Sequence, residues 1–453
     1  MKDAGTAEAA KNGRSGARRR SSSGNGRKAL TVWLAAQAVY IIAVAGRSSF
    51  GVAGLQAMDR FEIPAATLSL FTVVQLGVYS LAQIPVGILL DRIGVRKVIA
   101  GGALVMATGQ IALGLADDLT LALSARILIG LGDAAAFTSV IRLIPAWFTP
   151  GAASMMTQLT GVTGQLGQVI SSFPFAWALR EYGWQSAFIA LGAAGVLAGL
   201  LAWVGVRDWP VRRKRQETPD VAAEIPSLIS TVKEPGAWLG FWTHYVGGFP
   251  AMVFMLIWGV PFLQIANGMS AGLAAGIIVI QPLAGIVTGP LIGRLTGLHP
   301  LRRTWLVYTA AVLTIVAWLP LLLRDGPAPL WVIIVLLCVL SLSASASAIA
   351  FDFVRTSVHP ARAGIANGLA NMGGFSATLL TAWIIGLALD RFATNDIYTA
   401  GDYRAAMALQ GAVMAVGLAG VALSKRATRR RMAERGTVVP PIRDVIKRYR
   451  DGQ

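Results

Sequence analysis

The 453-residue sequence contains one cysteine, Cys338, and three histidines. One cysteine excludes a disulfide framework and any cysteine-based metal site. His244 lies alone in an apolar segment and His299 and His359 fall in distant turns, so no metal is expected. Charge is equally scarce: 14% of residues are charged, against about 25% in a soluble domain. A globular enzyme of this length could not cover its surface with so few. The chain also lacks a Walker A loop, paired catalytic carboxylates and a histidine cluster, which leaves a membrane-embedded enzyme without its chemistry. No cofactor is expected, and the tails are too short to hold a sensor domain.

Apolar residues are abundant, at 55% with 50 glycines and 13 tryptophans. Glycine permits close helix contact in lipid, and tryptophan favours the membrane interface. A bilayer span needs about 20 apolar residues. The pattern predicts an all-α polytopic protein with twelve spans, at 29–55, 65–90, 96–116, 119–146, 151–176, 184–206, 236–263, 269–292, 304–323, 329–352, 362–389 and 404–424. These are spans 1 to 12. They divide into an N-terminal bundle (29–206) and a C-terminal bundle (236–424), joined by a linker at 207–235 and flanked by an unstructured basic tail at 1–28 and a second basic tail at 425–453. Within the second tail, Pro441–Tyr449 spaces Ile442, Val445, Ile446 and Tyr449 as one helical face, which could lie on the membrane surface. The first apolar run is too long for a cleaved signal and reads as a retained anchor.

The formal net charge of +18 is distributed by side. With an even number of spans both termini share a side, and that side carries 33 of the 40 Lys and Arg residues, the opposite side five. This bias places both termini in the cytoplasm. The basic residues then face the anionic lipids of the inner leaflet rather than nucleic acid. A bacterial-type inner (cytoplasmic) membrane is the expected location, with the chain acting as a monomer.

The two halves repeat weakly. Span 2 ends in Gly87, Asp91, Arg92, Gly94, Arg96 and Lys97, and span 8 in Gly289, Gly293 and Arg294. Span 4 ends in Arg142, followed by Pro150 and a small-residue helix with Gly164. Span 10 ends in Arg355, followed by Pro360 and a small-residue helix with Gly374. A parallel repeat of six and six suggests two bundles rocking about a central site.

The segment Gly87–Lys97 resembles the signature between helices 2 and 3 of the major facilitator superfamily, G-x-x-x-D-R-x-G-x-R-[RK]. Arg126, Gly130 and Gly132 resemble its helix 4 motif. The resemblance covers about residues 29–424 and implies a secondary transporter in which ion gradients or exchange supply the energy. It implies that Asp91 sits against the N-terminus of span 11 near Arg362–Gly364, where a carboxylate complements the helix dipole. Arg142 would complete an ion pair, and the latch would form only when the inner side is closed. The second-half copy carries Gly293 where the acid would stand. The stretch from Tyr40 through Arg47 to Ala53 is similar to helix 1 of the organophosphate- and anion-transporting branches, in which an arginine contacts anionic substrate. Those proteins also carry an arginine in helix 7, where this chain has His244 and Tyr245, so the resemblance implies a carboxylate more than a phosphate.

Ionisable groups inside the membrane are functional candidates by default, because each costs at least about 2.5–3.5 kcal/mol there. Arg47 and Tyr40, seven residues apart, share a stripe on span 1 and are expected to reach the solute. Asp133, near the middle of span 4, is the expected proton carrier, with Arg126 on the same face but about 10 Å along the axis. Asp352 marks the inner end of span 10. His244, Gln165 and Asn371 are the remaining candidate solute contacts. Proton-linked movement of a small, anionic organic solute is the leading expectation. Export of hydrophobic drugs or metabolites is the alternative, disfavoured because span 5 has Gln165–Gln168 where many drug antiporters carry a Gly-Pro motif.

Overall fold

A computed structural model describes residues 4–63, 65–209, 228–392, 398–434 and 436. Helix is the only regular secondary structure among them. The linker segment 210–227 and the proposed surface helix at Pro441–Tyr449 lie outside the described residues.

Eleven helices are long and apolar enough to cross a bilayer. One of them, Pro150–Gly205, runs for 56 residues. At 1.5 Å per residue that is about 84 Å, more than twice the hydrocarbon thickness. Gly183 divides it, with φ 78 and ψ 178 in a region that only glycine enters readily. The chain folds back there. Phe175 and Phe188 would be about 20 Å apart on a straight helix, yet their ring centroids are 5.1 Å apart. Trp184, the next residue, anchors the return by donating its indole N–H to Leu113 O at 2.9 Å. Spans 5 and 6 are therefore separate, and the twelve-helix architecture follows.

Two ends differ from expectation. The first helix is continuous over Ala4–Phe61, so the stretch expected to be an unstructured tail has a helical backbone from Ala4. The last helix, Gln410–Glu434, continues ten residues past the expected end of span 12, where alanine, arginine and lysine give the chain high helix propensity.

Two hydrophobic cores form. One joins residues 32–206 with spans 10 and 11 through Phe351, Val354, Leu369 and Phe375. The other lies within residues 239–421. Small residues allow the closest approaches, in matching places in the two halves. Tyr40 occupies the space in front of Gly164, and Gly167 packs on the backbone of Ile41. His244 likewise occupies the space in front of Gly374, and Gly373 packs on the backbone of Phe241. Span 5 thus nests on span 1 as span 11 nests on span 7.

Because a Cβ at Gly183 would meet no atom within 4 Å, Gly183→Ala isolates the backbone strain. It should destabilise the protein by about 1–3 kcal/mol, seen as a lowered Tm in detergent. An unchanged Tm would mean that the reversal does not depend on this glycine.

Candidate functional site

A cavity of about 170 Å³ lies between the two halves. Tyr40 and Phe137 border it from the N-terminal bundle, with Gln158 and Gln165 of span 5. His244, Gln281, Ser341, Ser345 and Phe351 border it from the C-terminal bundle. The walls combine aromatic rings with amides and hydroxyls, a lining suited to a small polar solute.

Beside this cavity lies a buried ion pair. Arg47 on span 1 donates from Nε to Asp133 Oδ2 and from Nη2 to Asp133 Oδ1, both at 2.8 Å. Asp133 is fully buried, and the Arg47 side chain retains 17% exposure. The guanidinium lies 4.9 Å from the Tyr79 ring centroid and 5.7 Å from that of Phe375. Sequence periodicity set Arg47 on the Tyr40 face of span 1 and Asp133 on the Arg126 face of span 4. It gave no sign that the two faces meet.

Arg126 has other neighbours. It is buried, donates from Nη1 to Gln75 Oε1 at 2.7 Å, and stacks 4.0 Å from the Phe50 ring centroid. Of the remaining candidates, Tyr40, Gln165 and His244 border the cavity. His244 Nδ1 lies 3.4 Å from Ser347 O. Asn371 instead bridges the halves, donating to Tyr79 Oη at 2.8 Å and Gln83 Oε1 at 3.0 Å.

The turn after span 2 forms a latch across the halves. Asp91 Oδ1 accepts from Gly364 N at 2.8 Å and Oδ2 from Ile365 N at 3.1 Å. These amides open the helix Ala363–Phe392, and such N–H groups have no intrahelical partner. Arg142 donates to Asp91 Oδ1 at 3.4 Å and to Pro360 O at 3.0 Å. Gly87 has no side chain because a Cβ would lie 2.6 Å from Gly364 O. Gly94, with φ 86, makes the turn. Arg92 and Lys97 are exposed on it. Arg96 also ties the turn to a neighbouring span. Its backbone N–H donates to Asp208 Oδ1 at 3.1 Å and its guanidinium stacks 4.8 Å from the Trp203 ring centroid, tying the turn to the end of span 6.

A second latch mirrors the first without the acid of span 8. Gly293 lets span 8 approach Met155, with a Cβ placed 3.1 Å from its Cα. The carboxylate comes from span 10 instead. Asp352 Oδ1 accepts from Ser154 Oγ at 2.9 Å and from Arg355 Nη2 at 2.6 Å. Arg303 donates to Asp352 O at 3.2 Å. Asp352 and Arg355, three apart on one helix and symmetry-matched to Arg142, were the available sequence signal. The cross-half bonds run from these latches up to Asn371, so the side bearing the 2–3 turn is closed.

A cavity between two helical bundles, with cross-bundle contacts on one side of it, is the architecture of a membrane carrier. The family profile described as Major Facilitator Superfamily matches residues 38–382, and the chain belongs to that family. It is a membrane transporter, not an enzyme. It is 27% identical over 265 residues to the uncharacterized transporter YybO of Bacillus subtilis (strain 168), a match spanning 54% of this chain and 60% of that one. It is 24% identical over 343 residues to the probable galactarate/D-glucarate transporter GudP of the same organism, spanning 68% and 74%. The solved structure of the proton:xylose symporter XylE aligns with a TM-score of 0.67 at 13% identity, covering 88% of this chain and 96% of that one.

Replacing Asp91 by Asn removes a charge-assisted bond of about 1.5–3 kcal/mol, a ten- to hundredfold shift away from the closed state. Spin labels at Lys97 and His299, with Cys338 changed to Ser, should report a new longer-distance population. Asp352→Asn should act in the same direction. Unchanged distance distributions in both variants would remove the latches from the mechanism.

Proposed function

We propose that this transporter moves a small hydroxylated organic anion across the inner membrane together with a proton, as a monomer with both termini in the cytoplasm. The observation that carries the reading is the bidentate Arg47–Asp133 pair beside the central cavity. Leaving one member of a buried pair without its partner costs about 3–5 kcal/mol. A solute carboxylate can take the place of Asp133 on Arg47 when Asp133 is protonated and neutral. Otherwise two carboxylates compete for one guanidinium. Proton and anion binding are therefore linked, each favouring the other. Once a solute carboxylate holds Arg47, the guanidinium keeps one carboxylate partner, as it did before.

Several features support the substrate class. Gln165, Gln158 and Gln281 supply amides, and Ser341 and Ser345 hydroxyls, around the cavity; these suit a solute with its own hydroxyls. Tyr40 and His244 sit where they would contact it. Asn371 acts one step away, through Tyr79. Arg126 keeps the field around span 4 positive. The related GudP is named for galactarate and D-glucarate, which are hydroxylated acids.

The test is uptake into proteoliposomes of D-glucarate, galactonate, a sugar phosphate and a cationic dye, with and without a pH gradient. Accumulation of a hydroxy acid, driven by an acidic exterior, is the expected result. Transport restricted to the dye, against the proton gradient, would favour drug export and end this reading. Asp133→Asn should abolish gradient-driven accumulation while sparing counterflow exchange. Arg47→Gln should reduce both by about a hundredfold or more.

A further inference from the structure

A second cavity, of about 560 Å³, opens between spans 7, 9 and 12 toward the face opposite the latches. Its walls include Phe249, Leu319, Leu322 and Met414, with Arg324 and Arg404 at its mouth. Val312, Ile315, Val316 and Leu323 of span 9 are exposed around it, so it opens to the hydrocarbon. We propose that this groove is a binding site for an anionic phospholipid of the leaflet opposite the termini, with its phosphate at Arg324 and Arg404 and an acyl chain along the apolar wall.

Three observations identify the occupant. First, the two arginines are not neutralised. Arg324 donates from Nε to Pro327 O at 3.1 Å, and Arg404 from Nη2 to Gly326 O at 2.9 Å and Ala266 O at 3.3 Å. Among the described residues neither pairs with a carboxylate, although Asp325 also borders the mouth. Second, two buried polar groups on the wall have unused capacity. Trp318 Nε1 and Gln410 Oε1 have no hydrogen-bond partner, and each residue is 6% exposed. Third, the spacing repeats on both helices. Trp318 lies six residues from Arg324, toward the middle of span 9, and Gln410 six from Arg404, toward the middle of span 12, so on both segments the polar residue lies deeper than its arginine. An amphiphile with an anion at the mouth and an ester carbonyl below it matches that order. A purely apolar occupant would leave both charges unmet.

The test uses the full chain and phosphatidylglycerol against phosphatidylcholine, followed by native mass spectrometry. Retention of phosphatidylglycerol is expected, weakened about fivefold for each arginine changed to Gln, from the worth of one basic residue at an anionic surface. Arg404 also holds backbone carbonyls. Two controls therefore guard against misfolding: Arg324→Gln alone, and Arg324→Lys with Arg404→Lys, which should retain the lipid. A Cβ added at Gly411, on the groove wall, would meet no atom within 4 Å. Gly411→Leu should therefore fill the groove and expel the lipid without a clash. Chain-brominated phosphatidylglycerol should quench a fluorescence component that Trp318→Phe removes. Equal retention of the two lipids, or equal quenching in wild type and Trp318→Phe, would overturn the proposal. Transport by the Gly411→Leu protein is read in parallel, so loss of the lipid site and loss of the central site remain distinguishable.

Discussion

One buried cation and one buried carboxylate, held face to face in a medium that solvates neither, constrain the rest of the structure. Arg47 and Asp133 come from different helices of one bundle, and their two parallel 2.8 Å bonds bring spans 1 and 4 together. The rings of Tyr79 and Phe375 lie over the guanidinium from span 2 and from the opposite bundle. The charge state of this pair is thus in contact with the interface between the halves. Tyr79 accepts from Asn371, which also reaches Gln83. A change at the pair therefore meets, within two contacts, the surfaces that separate when the carrier opens.

The closed side shows how one physical task is met with different residues in the two halves. Asp91 presents its carboxylate to free amides at the start of span 11, where both hydrogen bonding and the helix dipole favour an anion. In the other half the corresponding turn has Gly293, which gains close packing on span 5. Asp352 takes over the acidic role from the facing helix, with Ser154 and Arg355 as partners. The pseudo-symmetry is kept in the placement of charge across the interface and relaxed in which helix supplies it.

Much of the architecture was legible in the sequence. Twelve apolar runs, a charge bias and a repeated motif suffice because lipid admits few ways to satisfy a backbone. The contact of Asp91 with the start of span 11 was legible only through the resemblance of Gly87–Lys97 to a family signature, which implied that partner. The reversal at Gly183 was legible only as a gap between apolar runs, though the helix there is otherwise almost continuous. The central site was less readable. Arg47, Asp133 and Arg126 could be chosen from composition, because charge in a span is costly. Their partners could not, nor could the bonds that Asn371 makes across the bundles to Tyr79 and Gln83.

The sequence by itself determined that this chain is a bundle of membrane helices and which of its rare charged residues fall within the spans. Those properties follow from local apolar length, periodicity and the cost of burying charge, all of which act along one helix at a time. The tertiary structure decided that Arg47 meets Asp133, that Arg126 meets Gln75 and Phe50, and that Asp352 stands where the second-half turn lacks an acid. Such pairings depend on the rotation and depth of one helix against another, which no single helix encodes.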